Sequence, residues 1–517
     1  MNLINEQKPL SEEKRISVLD FYRGKKVFVT GGTGFLGKVI IEKLLRQLEV
    51  ETIYILVREK KGKSIHSRID EMTDDIYYDD LKKSDPKFKH KLVPINGDCA
   101  YAGLGLSITD VQTLIENVEI VLHCAATVRF NEPLDKSYAV NVTGTKGVVN
   151  LCHSMHRLQA FVHVSTAYSN CHLSHIEERF YDYSLGADEI AALLTKLTPD
   201  EIDAKTRDII GNWPNSYTFT KALAENLIRT ECEKLPVAVF RPAIILSTYQ
   251  GATPGWIDNI YGPVGASASI YAGFGRVVYV AQDDSCNVVP VDKVADGIFA
   301  AAWEVGTRIH RKCEDVNEKI KIYNYVSSST KNTINWKEYI YIGSFYSREF
   351  PLLNTKRTLN VTMARSETVY NILILLLHYI PALIIDFFML LSGNKPKLFR
   401  LYKKLHSQMA AVLFFVCHAW SFDNNNVQKL YETLSLEDRR LLPMDMHDVN
   451  WKLFMKNYIL GIRRYVLKED DSTLEPARKK LKTMERLDNF IKCAICFFIA
   501  NYIYGVVCAT STWLLFG

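Results

Sequence analysis

Residues 25–37 read Lys-Lys-Val-Phe-Val-Thr-Gly-Gly-Thr-Gly-Phe-Leu-Gly, and this run constrains the fold more than any other part of the chain. A short apolar strand at 27–29 feeds a glycine turn, and an amphipathic helix continues through 38–45. Gly31, Gly34 and Gly37 fall in the spacing G-x-x-G-x-x-G. Gly31 permits a tight turn, Gly34 lets the backbone approach a pyrophosphate, and Gly37 lets helix and strand pack closely. The first turn of the helix then offers N–H groups and a positive dipole end to phosphates. Loops collect glycine, so the triplet alone is weak; the strand before it and the helix after it give it meaning. Thr30, Gly31, Thr33, Gly34, Phe35, Leu36 and Gly37 are therefore the expected cofactor cradle.

The rest of the chain up to about 240 fits that cradle. Short β-rich runs at 53–57, 91–94, 120–123, 161–165 and 237–240 alternate with helical stretches at 108–117, 138–155 and 217–232. This βαβ repetition predicts an α/β fold, a Rossmann-type doubly wound parallel sheet with right-handed crossovers. From 243 to 326 glycine and proline are frequent, which suggests a substrate-side subdomain returning to the sheet edge near 288–291 and 322–326. Helical patterns dominate after 334. The expected division is an N-terminal arm at 1–20, a dinucleotide-binding domain at 21–330, a helical domain at 331–470, and a basic linker with a membrane helix at 471–517.

A net charge of +5 over 517 residues gives no field suited to nucleic acid. Eleven scattered cysteines without zinc-type pairing fit a reduced compartment and no metal site. The polar start carries no secretory signal pattern, and the last residues are not a peroxisomal matrix address. Residues 493–517 hold no charge and follow a basic group from Arg478 to Lys492, so a membrane anchor facing the cytosol on its basic side is expected. A second apolar stretch, 371–391, contains His378, Pro381 and Asp386. Were it to span, the basic residues from Lys395 to Lys404 would lie on the far side, so an interfacial or protein-packed helix pair broken at Pro381 is the preferred reading.

Three further groups carry chemistry. The second strand ends in Arg58 rather than an acid, which favours the 2′-phosphate of NADP. Asp98, after the third strand, either reaches the adenine or serves a turn. Tyr217 and Lys221 share a helix face at i and i+4, where an ammonium would lower the phenol pKa and ready it as a proton donor. Ser165 and Thr166 end the fifth strand, at the sheet edge where ligands bind, and can donate to a developing oxyanion. Asn141 either orders a water or Lys221, or caps a helix.

With the glycine run, His123-Cys-Ala-Ala126, Asn141-Val-Thr-Gly-Thr, Val164-Ser-Thr166 and Tyr217/Lys221, the chain resembles the extended short-chain dehydrogenase/reductase superfamily. Within it the chain is similar to the alcohol-forming fatty acyl-CoA reductases of animals, especially the insect type. That likeness rests on Phe21-Tyr-Arg-Gly24, Val57-Arg-Glu-Lys-Lys-Gly-Lys63, Tyr217-Thr-Phe-Thr-Lys-Ala-Leu-Ala-Glu225, Arg241-Pro242, Pro254-Gly-Trp-Ile-Asp-Asn259, Ile380-Pro-Ala382 and Ile459-Leu-Gly-Ile462. The resemblance implies NADPH, a long-chain fatty acyl-CoA substrate and attachment to a lipid membrane, of the endoplasmic reticulum or peroxisome, with the catalytic domain cytosolic. It implies catalytic roles for Tyr217 and Lys221 with Ser165 or Thr166 assisting, Thr166 being the first choice, and treats Gly32 as a variable position. An apolar groove for the acyl chain is expected around 256–265 and the helices after 334, with core packing as the other use of Trp256. The rival readings are a membrane-bound hydroxysteroid or sterol dehydrogenase of the same fold and a non-catalytic NADP-binding scaffold.

Overall fold

The computed structural model describes residues 16–60, 62–183, 186–281, 283–308, 319–355 and 357–516, with backbone alone at 411, 495 and 506–516. The expected N-terminal arm up to residue 15 lies outside the described residues, as do Lys61 and Gly517. The strands of the first half are β1 (Lys26–Thr30), β2 (Thr52–Val57), β3 (Leu92–Asn96), β4 (Ile120–His123), β5 (Ala160–Val164), β6 (His175–Ile176), β7 (Val237–Pro242) and β8 (Ile244–Leu246). They are followed by β9 (Val277–Tyr279), β10 (Val288–Pro290), β11 (Lys321–Tyr325), β12 (Thr362–Ala364) and β13 (Ser421–Phe422).

Seven strands form one parallel sheet in the order β11-β7-β5-β4-β1-β2-β3. This is the doubly wound sheet the sequence predicts. Helices cover both faces, so strands such as β5 are buried throughout and read as continuous apolar runs. Each fully buried Val, Ile or Phe contributes about 1.5–3 kcal/mol. The strand order reverses between β1 and β4, and a crevice opens at their C-terminal ends.

Three local expectations are corrected. Residues 288–291 do not return to the main sheet. After Pro242 the chain changes partner: Ala243 N–H still bonds the Tyr325 carbonyl, but Ile244 N–H bonds that of Asn287, and β8 pairs with β10 as a separate two-stranded sheet. The helix expected at 138–155 contains a π turn, Ala139–Thr143, between Leu134–Tyr138 and Gly144–Ser154. The helix expected to break at Pro381 runs on from Glu367 to Leu391. A π turn at Leu375–Tyr379 shifts the hydrogen-bond register just before the proline, and the Leu377 carbonyl, four residues back, accepts from Arg357 Nη1 at 3.4 Å.

The chain forms two compact units, interleaved in sequence rather than arranged as consecutive blocks. The sheet unit takes the residues up to 254 with 285–334 and 419–449. Segment 419–449 belongs to it because β13 pairs with β6 and Lys293 Nζ donates to the carbonyls of Pro443 (2.6 Å) and Asp445 (2.8 Å). The helical unit takes 255–284, 335–418 and 450–517. Segment 255–284 belongs there because β9 pairs with β12 and Gly255 lies against helix Trp451–Gly461, where a Cβ would fall 2.1 Å from the Asn457 carbonyl oxygen. Trp256 and Ile257 are buried.

Candidate active site

The cradle forms as its spacing requires. Gly31 adopts φ +72°, and a Cβ there would lie 2.7 Å from the Ala125 backbone nitrogen. A Cβ on Gly37 would lie 2.2 Å from the Gly31 carbonyl oxygen, so the helix Phe35–Gln47 can start this close to β1 only with glycine. Gly34 is the N-cap and no side chain caps the helix, which leaves its first turn facing the crevice as an anion site. Gly32, treated as variable at the level of the family, is tightly packed in this chain: a Cβ would sit 2.6 Å from Ile55 Cγ2. Thr30, at the end of β1, is buried. Its hydroxyl accepts from Ala125 N–H (3.2 Å) and lies 2.6 Å from His123 Nδ1.

The neighbouring bonds fix the His123 tautomer. Thr145 Oγ1 donates to the Asn141 carbonyl (2.7 Å), so it accepts from His123 Nε2 (3.0 Å), and His123 Nδ1 accepts from Thr30. Burial and then the charge on Lys221 hold His123 down to about 3, so the ring stays neutral. It ties β1, β4 and helix Gly144–Ser154 together beneath the cradle.

At the other side of the cradle Arg58 donates to Asp98 at 3.1 Å and is half-exposed. Asp98 also accepts from Ala100 N–H (3.0 Å), so its carboxylate serves the turn and orients Arg58. A second guanidinium joins them. Arg68, on helix Ile65–Thr73, donates to the Arg58 carbonyl (2.6 Å) and to Thr33 Oγ1 (3.0 Å). Burial and then repulsion from Arg58 lower its pKa, with Glu71 and Asp98 opposing the shift. Sequence reading missed Arg68; the signal was a basic residue one turn into the helix that follows β2, in reach of the glycine turn.

Helix Ser216–Glu231 carries Tyr217 and Lys221, the pair expected to do the acid–base chemistry. Asn215 caps it by accepting from Thr218 N–H (2.9 Å). Tyr217 is half-buried, and its hydroxyl is bonded to Thr166. Thr166 Oγ1 accepts from Tyr168 N–H (3.2 Å), which leaves its proton for the Tyr217 oxygen. The result is a donor chain that ends on the Tyr217 O–H. Lys221 is buried, with Nζ on the Val164 carbonyl at 2.7 Å. Burial lowers its pKa to about 8, against the opposing pull of Glu225. The expectation that Lys221 depresses the phenol is corrected: burial dominates and raises Tyr217 to about 12, with only the Thr166 bond opposing it. The phenol is thus firmly protonated, the state a proton donor needs.

Ser165 and Thr166 part company. The Ser165 hydroxyl turns into the core and donates to Glu225, which is locked to Arg241 through Nε (2.9 Å) and Nη2 (2.6 Å). Only Thr166 joins Tyr217. Asn141, in its π turn, neither caps nor touches Lys221. Its Oδ1 accepts from Thr127 N–H (2.9 Å) and its Nδ2 donates to Thr220 Oγ1 (2.9 Å), binding the loop after β4 to the Tyr217 helix.

The chain is similar to several known proteins. A dinucleotide-binding family model described as "Male sterility protein" matches residues 29–298, and a second of the same description matches 377–469. "Fatty acyl-CoA reductase wat" of Drosophila melanogaster is 38% identical over 495 residues, covering 94% of each chain. Human "Fatty acyl-CoA reductase 1" is 35% identical over 474 residues, covering 91% of this chain and 90% of that one. Among solved structures, the terminal R domain of the myxalamid biosynthetic pathway matches with a TM-score of 0.54 at 18% identity, over 86% of this chain and 91% of that one. The R domain of a nonribosomal peptide synthetase from Mycobacterium tuberculosis matches at 0.53 and 17%, over 86% and 92%. These two share the fold.

Proposed function

This chain belongs to the fatty acyl-CoA reductases, and on that premise we propose that it uses NADPH to reduce a long-chain fatty acyl-CoA to the primary alcohol through an aldehyde. The observation that carries the chemistry is the Tyr168–Thr166–Tyr217 donor chain ending at the crevice. The dinucleotide-binding match makes the cofactor a nicotinamide one. The two guanidiniums, Arg58 at the end of β2 and Arg68 on Thr33 of the glycine turn, support NADPH, whose 2′-phosphate they would hold.

When bound, the nicotinamide supplies hydride to the thioester carbonyl carbon. Tyr217 donates to the carbonyl oxygen as charge develops there, and Thr166 strengthens it by donating to the phenol oxygen. The hemithioacetal expels CoA and leaves the aldehyde. A second reduced nicotinamide, exchanged for the oxidised first, would supply the hydride for the aldehyde; the same pair holds the aldehyde oxygen, and Tyr217 gives its proton to the alkoxide, which is more basic than a phenolate. Lys221, four residues along the helix, steadies the resulting negative charge. Ser165 has no part in this, since its hydroxyl is committed to Glu225.

Membrane attachment is part of the same proposal. The helix Leu474–Phe516 carries basic residues from Arg478 to Lys492 and then loses every charge, and its apolar side chains such as Phe490, Phe497 and Ile503 are exposed. Residence in an endoplasmic reticulum or peroxisomal membrane with the sheet unit in the cytosol fits this order of charges. The hydroxysteroid dehydrogenase and scaffold readings are not favoured: relatives over nine-tenths of the chain are fatty acyl-CoA reductases.

The test is gas chromatography of products from the detergent-solubilised chain with NADPH and palmitoyl-CoA. Hexadecanol is the expected product. Tyr217→Phe is expected to lose turnover while NADPH still quenches the protein's fluorescence; a Tyr217→Phe enzyme that keeps its rate refutes the assignment.

A further inference from the structure

Within the helical unit the segment Glu367–Leu391 is a helix turned inside out. Its buried positions are Tyr370, Ile374, His378, Ala382 and Asp386, a strict every-fourth-residue stripe that includes its His and its internal Asp. In a plain α-helix such a stripe drifts by about 40° per step. The π turn Leu375–Tyr379 underwinds the middle and keeps the stripe on one side. The outward side is apolar: Ile372, Leu376, Leu383, Ile384, Phe387 and Leu391 are all about half-exposed or more.

The buried stripe is fully engaged by its own unit. Tyr370 and Ile374 pack on Val277 and Ala364 of β9 and β12. His378 Nε2 accepts from Arg276 N–H (3.1 Å), and Nδ1 meets His406 Nε2 (2.9 Å) on helix Leu398–Cys417. Asp386 takes the backbone N–H groups of Lys397 (3.0 Å), Leu398 (2.9 Å) and Phe399 (2.8 Å), capping that helix and closing a hairpin. Around the bend and along the returning helix Lys395, Lys397, Arg400, Lys403 and Lys404 are exposed.

We propose that this hairpin lies in the plane of one membrane leaflet, its apolar side among the acyl chains and its basic residues on anionic phospholipid headgroups, without crossing. Two observations argue against a span. The helix midpoint, His378, is bonded to the backbone of Arg276 at the start of a two-stranded sheet, which a span would drag with its arginine to the bilayer centre. The second observation is the level at which the other apolar helix loses its charges. Asp488, on the last charged turn before the uncharged run from 493, accepts from Thr358 (3.4 Å), and the adjacent Arg357 donates to Leu377, again at the midpoint of the hairpin's first helix. The headgroup level set by one helix therefore falls at the middle of the other, which suits a helix lying along the surface. The inference rests on the membrane attachment proposed above.

Two variants of the full chain, expressed in microsomes, test it. Asn394→Cys places a thiol at the bend, read by a gel shift with an impermeant polymer–maleimide against the parent chain. Phe387→Trp places a fluorophore on the apolar side, read against the parent after reconstitution with brominated phospholipids. The expected result has two parts. The Asn394→Cys chain is labelled beyond the parent in sealed, cytosol-out vesicles, and the fluorophore added by Phe387→Trp is quenched more by bromines near the headgroup than by bromines at the chain end. Absence of that extra labelling in sealed vesicles overturns the proposal, as does an added fluorophore that no brominated lipid quenches. Vesicle retention and reductase activity of the parent report the underlying reading separately.

Discussion

Replacing Lys221 by methionine is expected to stabilise the sheet unit while ending catalysis, and the stabilisation will fade as pH rises. Lys221 is buried, and its folded pKa of about 8 lies below an unfolded value near 10.5. Below about pH 8 both states carry the proton, and burying the charge costs the folded state about 3 kcal/mol. Between about pH 8 and 10.5 the unfolded chain holds one proton more than the folded chain, so stability rises with pH and the cost is progressively relieved. Methionine fills a similar volume without the charge, at a loss of about 1 kcal/mol for the bond to the Val164 carbonyl. The variant is then about 2 kcal/mol the more stable at pH 7, and the parent recovers about 2 kcal/mol of the difference by pH 9.5. Paired denaturant unfolding curves at the two pH values, read by fluorescence, give the double difference directly. A Lys221→Met protein less stable than its parent at pH 7, by an amount that does not change with pH, refutes the reasoning.

Four further outcomes follow from the site. Parent turnover will fall above about pH 8 as Lys221 loses its proton, and Lys221→Arg will move that limb upward in a pH–rate profile. If the proposed NADPH reading holds, Arg68→Ala, next to Thr33 of the glycine turn, will raise the KM for NADPH about 10- to 150-fold while leaving that for NADH nearly unchanged, since it would remove a charge-assisted contact to the 2′-phosphate alone. Thr166→Ala will lower kcat by roughly a hundredfold, whereas Ser165→Ala will keep kcat and lose only about 1 kcal/mol of stability, a contrast that steady-state kinetics and unfolding curves will resolve. Glu225→Gln will leave Arg241 without its counter-charge in the core and cost about 3–5 kcal/mol, seen as loss of folded protein at moderate denaturant.

What sequence reading reaches is chemistry carried by local spacing. The glycine turn, Tyr217 with Lys221, and the alternation of strands and helices each occupy a few consecutive turns, and each stands where it is expected. Partnership across the chain is harder. Residue type and position leave Ser165 and Thr166 alike and the family resemblance alone puts Thr166 first; the place of Glu225 on the packed helix gives the physical reason they differ. Arg58 is legible at the end of its strand, but Arg68 acquires meaning only when its helix folds back over Thr33. The pKa order of Tyr217 and Lys221 is set by burial, which spacing does not reveal. Pro381 reads as a break because a proline clashes with the carbonyl four residues back; the π turn and Arg357 that absorb the clash lie outside the proline's own pattern.

Arg241 has one more consequence. All five of its N–H groups are taken, by Glu225 twice, by the carbonyls of Glu177 and Arg179, and by Asn324. Those acceptors come from a helix, a loop and the outermost strand β11, segments spread over nearly 150 residues. A charge sealed in this way tolerates no half-assembled neighbour, because any missing segment strands a donor away from water. The sheet's far edge is thereby coupled to the floor beneath Ser165 and Thr166: fraying of β11 is not a local event but one felt at the proposed site. Amide exchange at Asn324 and at Ser165, whose N–H bonds the Phe240 carbonyl, would then follow a single opening reaction, and the crevice inherits the cooperativity of the whole sheet.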